Sequence, residues 1–256
     1  MKTIKVLFVS LLTLFVFNGY SQGVNIIVRA KAKDAKFIGS GIGGASVIIR
    51  NAATGEILAK GKTTGIAGNT ELIMSTPKGR YTEITDDKTA KFQAHLDITE
   101  PTFVTIEAIA PVNRKNAAVN SQTQLWLIPG KDLVGEGIIL EIPGFILDVL
   151  YPQTHQIIKS AAVVDNKINV KINLVMMCGC DIAKGAVWDS EYIEVSALVK
   201  KDGVPQKTIK LTISKQENVF EGLLDLSGKG NYELQVYAFE KRTNNTGFDA
   251  VNFIVN

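Results

Sequence analysis

Residues 167–180 read KINVKINLVMMCGC. Ile168, Val170, Ile172, Leu174 and Met176 fall on one side of an extended chain, and Lys171 and Asn173 on the other. A period of two over ten residues describes a strand with one face on a core and one towards water. The same period recurs through the chain. Val24, Ile26, Val28 and Ala30 alternate with Asn25 and Arg29, although Ile27 is out of step. Phe92, Ala94, Leu96 and Ile98 alternate with Lys91, Gln93, His95 and Asp97. Val104, Ile106 and Ala108 repeat the pattern, as do Tyr232, Leu234, Val236 and Ala238. Gly, Asn, Asp and Pro separate these runs, and no stretch after residue 22 carries a helical stripe with caps. The pattern predicts an all-β protein built from antiparallel β-sandwiches.

The first 22 residues have a different character. Lys2 and Lys5 precede an apolar run at 6–17 broken by Ser10 and Thr13, and Gly19 and Ser21 then stand in small-x-small spacing. That is the layout of a cleaved export signal, and its apolar run is short of the ~20 residues of a bilayer span. No cysteine lies near the cut, which disfavours a lipid anchor. The expectation is an exported protein, periplasmic or extracellular. Without Lys2 and Lys5, 28 basic residues become 26 against 25 acidic ones, a net charge of +1. A nearly neutral chain with no basic block has no field to hold nucleic acid. Apolar residues make up 46% and charged residues 21%, enough to build a core and to exclude wholesale disorder.

The boundary between units is read at Pro143-Gly144. The expected organisation is a signal peptide at 1–22 and two antiparallel β-sandwich domains, 23–142 and 143–256. The apolar segment 138–150 carries Glu141, Pro143 and Asp148 and is not a membrane span. In the second half, strands are expected at 145–150, 167–177, 191–199, 208–213, 219–226, 231–239 and 248–255. Gly230 to Leu234 and the turn Asn244-Asn245-Thr246-Gly247 look like the last hairpin of an immunoglobulin-like or fibronectin-like sandwich, and seven short strands in such a length suit it. In the first half, Gly44-Ala45-Ser46-Val47-Ile48-Ile49, Thr54-Gly55-Glu56, Gly61-Lys62-Thr63-Thr64-Gly65 and Gly68-Asn69-Thr70 are similar to the carboxypeptidase-regulatory, transthyretin-like sandwich. The resemblance covers roughly residues 24–110 and implies an accessory, non-catalytic module of about seven strands.

The two cysteines, Cys178 and Cys180, are the chain's unusual chemistry. Continuing the strand's phase places Met176, Cys178 and Cys180 on one face, with Met177, Gly179 and Asp181 opposite. Three readings stay open. A sulfur row suits a soft metal such as copper, with His155 as a further ligand. An apolar face suits buried thiols that simply pack. An oxidising compartment suits a Cys178–Cys180 disulfide. In a straight strand the Cα atoms would lie about 6.6 Å apart, so pairing needs a bend at Gly179. With only two histidines and no second cysteine pair, a zinc site is hard to assemble.

Other candidates are weaker. His95 sits on a polar strand face, and His155 in a loop. Gly61-Lys62-Thr63 lacks a phosphate loop's first glycine, because Glu56 stands there. Asp86-Asp87 offers a calcium-type loop or, preferred, a solvated acidic turn. Trp126 and Trp188 suggest a sugar-stacking surface, with burial of both preferred. No Gly-x-Ser-x-Gly elbow occurs, so no catalytic residue is named. The function expected is non-catalytic binding or scaffolding in the bacterial cell envelope, with a protein or glycan partner and no cofactor. The alternative is a copper or redox protein using Met176, Cys178, Cys180 and His155.

Overall fold

The computed structural model describes residues 23–256, so the export-signal reading lies outside the described residues. Strands β1 (Val24–Ala32), β2 (Ser46–Asn51), β3 (Ile57–Lys62), β4 (Phe92–Leu96), β5 (Thr102–Ala110), β6 (Val119–Leu127) and β7 (Leu133–Ile142) form two sheets. Their orders are β4-β1-β7 and β3-β2-β5-β6. β1 is central in the first, antiparallel to β4 and parallel to β7. Val28 and Ala30 from β1 meet Val47, Ile49, Val104 and Ile106 from the facing sheet in one buried apolar cluster.

The out-of-step Ile27 now has a reason. Both faces of β1 are covered: Ile27 is 7% exposed and Arg29 only 2%. Over the outer face lies the long β3–β4 connection, whose Ile73 and Ala90 pack with Phe37 in a second small core. Arg29 was read as a polar-face residue, yet it is sealed beneath this connection. Its guanidinium donates to the carbonyls of Thr89 (2.5 Å), Ala90 (3.1 Å) and Glu136 (3.1 Å). The Glu136 carbonyl is accessible because the β1–β7 register shifts between Ile26 and Val28. An irregular strand and a buried cation thus solve each other's hydrogen-bonding problem.

The second half contains β8 (Phe145–Tyr151), β9 (Gln156–Ile158), β10 (Lys167–Met176), β11 (Ile193–Lys201), β12 (Val204–Pro205), β13 (Ile209–Ile213), β14 (Val219–Asp225), β15 (Gly230–Glu240) and β16 (Asn245–Val255). The order is β8-β10-β14-β13-β11-β15-β16-β9, with β12 on β11. β13 pairs with β11 at Ile209 and Leu211, then with β14 at Thr212 and Ile213. That change of partner folds one ladder into two layers. The inward residues of β10, Ile168 through Met176, are buried, as are Tyr232, Leu234, Val236 and Ala238 of β15. Tyr232 stacks on Phe253 at 5.1 Å and donates its hydroxyl to the Gly228 carbonyl at 2.7 Å. A tyrosine locking the corner before a central strand, with these layers, makes this an immunoglobulin/fibronectin-like sandwich. The sequence-expected strands are all present, and β9 and β12 are additions.

Among the named strands, none of β1–β7 pairs with any of β8–β16. The halves instead meet through side chains around Pro143-Gly144. Gly144 has φ +110°, and a Cβ there would lie 2.9 Å from the Thr246 carbonyl, so only glycine fits. Its N–H donates to Asn245 Oδ1 (2.7 Å), and Asn245 Nδ2 donates to the Lys33 carbonyl (3.1 Å). Asn245 is fully buried. Trp188 Nε1 donates to the Asp34 carbonyl (2.8 Å), and Arg114 is ion-paired with Asp148.

Candidate functional site

The sulfur segment does not continue the strand. β10 ends at Met176, where a tight turn closes: Gly179 N–H donates to the Met176 carbonyl (2.7 Å) and Met176 N–H to the Cys180 carbonyl (3.1 Å). Gly179 supplies the bend with φ +76° and faces Ile42 of the first half. The expected row of Met176, Cys178 and Cys180 therefore does not form, and Met177, expected opposite the core, is fully buried. The phase fails because the turn reverses the chain within three residues. The cysteine Cα atoms lie 5.4 Å apart with the sulfurs at bonding distance.

His155 is elsewhere. Its N–H donates to the Asn252 carbonyl (2.6 Å), whereas Met177 and Gly144 lie beside Thr246. Six residues of β16 separate those positions, about 20 Å. Histidine and sulfurs thus occupy opposite ends of one strand. Among the described residues, no group of three His, Cys, Asp or Glu side chains is placed to hold a metal.

The remaining sequence candidates are structural or exposed. His95 shares Nδ1 with Asn25 Oδ1 (3.0 Å) on the surface of the β1–β4 pair. Asp86 accepts from Thr89 Oγ1 (2.7 Å), Thr89 N–H (2.8 Å) and Lys88 N–H (3.0 Å). The Thr89 hydroxyl chiefly holds the Asp86 carboxyl below the usual range, and these bonds cap the turn over Arg29.

At the joint, partial burial and then the Glu240 carboxylate push the Asp34 carboxyl up, against Lys31 and Arg242. A carboxyl with a raised folded pKa costs stability once ionised, so stability declines as pH rises through the folded value. Asp34 keeps contact with solvent, which screens the effect, so Asp34→Asn should raise Tm at pH 7 by no more than about 1 °C. The gain should vanish below about pH 3, where both folded and unfolded carboxyls are protonated. Paired thermal melts at pH 7 and in acid check this; an equal gain at both would assign the effect elsewhere.

The tryptophans correct the expectation of shared burial. Trp188 is half-buried at the joint, whereas Trp126 is 60% exposed on the outer face of the β3-β2-β5-β6 sheet. They do not share a surface. On β6 the side chains turned to solvent are Asn120, Gln122, Gln124 and Trp126, four in succession without charge. Phe103 of β5 pairs directly with Trp126, with ring centroids 5.1 Å apart. Gln124 Nε2 donates to Thr105 Oγ1 (2.9 Å), while neither Asn120 nor Gln122 makes a side-chain hydrogen bond among the described residues. The nearest charges, Arg50 and Glu107, face each other at 3.7 Å. Covering an indole exposed to this degree would release roughly 3 kcal/mol. That makes this face the strongest recognition surface among the candidates.

No family model matches the chain, and no curated protein matches it either. Among solved structures it is similar to the fibronectin(III)-like modules of CbhA from Clostridium thermocellum, at TM-score 0.29 and 13% identity over 91% of this chain and 94% of that one. A chimeric titin Z1Z2 gives TM-score 0.23 and 9% identity over 92% and 98%. Escherichia coli alpha-2-macroglobulin activated by porcine elastase gives 0.23 and 8% over 92% of this chain and 22% of that one. These superpositions are too loose to carry an argument; the fold assignment rests on strand order and the Tyr232 corner.

Proposed function

We propose that the chain is an exported, non-catalytic binding protein of the bacterial cell envelope, periplasmic or extracellular, made of two sandwiches at 23–142 and 143–256. The observation that carries this reading is Trp126, 60% exposed beside the half-buried Phe103 and at the end of an otherwise uncharged row of side chains. Large aromatic surface is ordinarily withdrawn from solvent, and where it is not it marks recognition. Seven strands in two sheets support the transthyretin-like reading of the first half, and the second half supplies a rigid neighbour. No helix among the described residues is long and apolar enough to cross a membrane. Cys178 and Cys180 are assigned to a structural disulfide that closes the turn against Ile42.

The test is sedimentation of the purified exported protein with washed cell-envelope fragments. The Cys178→Ser/Cys180→Ser variant should sediment as the parent does, while Trp126→Ala should lose about tenfold in affinity. Loss of binding in a double-serine variant that still melts cooperatively would move recognition to the sulfur turn and end this reading.

A further inference from the structure

We infer that the outer face of β6 binds an uncharged, β-1,4-linked glycan chain lying along the strand; this rests on the binding reading above and names its partner. Asn120, Gln122, Gln124 and Trp126 all point outward from the same edge strand, over about 20 Å. Amide side chains both donate and accept, and those of Asn120 and Gln122 are not engaged within the protein. A polyhydroxylated chain satisfies such groups along its whole length.

Charge selects among occupants. The row carries none, and the charges next to it, Arg50 and Glu107, neutralise each other. An acidic glycan or a nucleic acid finds no cation on the row. A second copy of this protein, or another apolar surface, would bury the Asn120 and Gln122 amides without guaranteed partners, which is unfavourable. A neutral glycan offers hydroxyls to the amides and an apolar ring face to the indole. The β-1,4 linkage follows from shape: its chain is a flat, extended ribbon that follows a strand, whereas an α-1,4 chain curls away. Phe103 packs beside the indole from the neighbouring strand, tilted against it with centroids 5.1 Å apart, so the stacking surface is held before the ligand arrives.

Titration calorimetry of the purified exported protein with cellohexaose and mannohexaose tests the assignment, with maltohexaose and hexagalacturonate as the curled and charged controls. At least one of the β-1,4 chains should bind, and neither control should match it. Trp126→Ala should weaken binding at least tenfold and Gln122→Ala at least threefold, both with parental cooperative melting, since both side chains are exposed. Absence of heat with both β-1,4 chains at millimolar concentration would overturn the inference, as would equal binding of a control or indifference to both substitutions. A dimer that dissociates on Trp126→Ala would also overturn it. If Trp126-dependent envelope binding persists while the oligosaccharides fail, the glycan falls and the binding reading stands; if both fail, both fall.

Discussion

Arg29→Met should lower the melting temperature by on the order of 10 °C. Three carbonyls, from Thr89, Ala90 and Glu136, lose their donor together, and a fourth at Gly135 lies 3.4 Å from the same guanidinium. Buried acceptors left without partners cost about 1–3 kcal/mol each, and removing the buried charge relieves only part of that. The total should fall near 3–5 kcal/mol. Arg29→Lys should recover less than half, because one ammonium cannot serve acceptors on two separate segments. Thermal melts of the three proteins decide it. A shift under about 2 °C for the methionine variant would show that water replaces the guanidinium.

Asn245→Ala comes next, with an expected loss of about 2–4 kcal/mol. This one side chain accepts from the linker at Gly144 and donates to Lys33, and it has no exposure to water. Asn245→Asp separates the two bonds. The acceptor survives, but a carboxylate then faces the Lys33 carbonyl near Glu240, so aspartate should be no better than alanine at neutral pH. Limited proteolysis around residues 143–144, alongside the melts, reports whether the joint has opened. An aspartate variant as stable as the parent would remove the Lys33 bond from the account.

Where partners are near in sequence, the fold is legible. β10, β15 and β16 show themselves by alternation, because each has one dry and one wet face. β1 shows its inward face in the same way, but the cover over its outer face is hidden, since Ile27 and Arg29 lie under a connection some fifty residues further on, which no local period encodes. β3 carries Lys60 and Lys62 on an exposed edge and β9 is three residues long, so neither gives a clear signal. The sulfur row fails for a related reason: Gly179 permits a bend, but period alone continues the strand through it. Asn245 reads as a turn residue, and its burial follows from Lys33 and Gly144 arriving from elsewhere. Trp126 was visible as a residue type; its exposure follows from its phase on β6, where the outward positions are otherwise polar.

The parallel pairing of β1 with β7, and the bond from Lys33 to a residue 212 positions later, set a timetable for the molecule. A chain synthesised from its N-terminal end presents β1 early, with one flank open until β7 follows. The joint waits longer still, because Asn245 belongs to the final hairpin. Loop closure over such distances is slow, and the unfinished edge of β1 is the part exposed meanwhile. Resistance of the 143–144 linker to protease therefore marks a molecule whose last strand has arrived, and a growing or truncated chain would be cut there first.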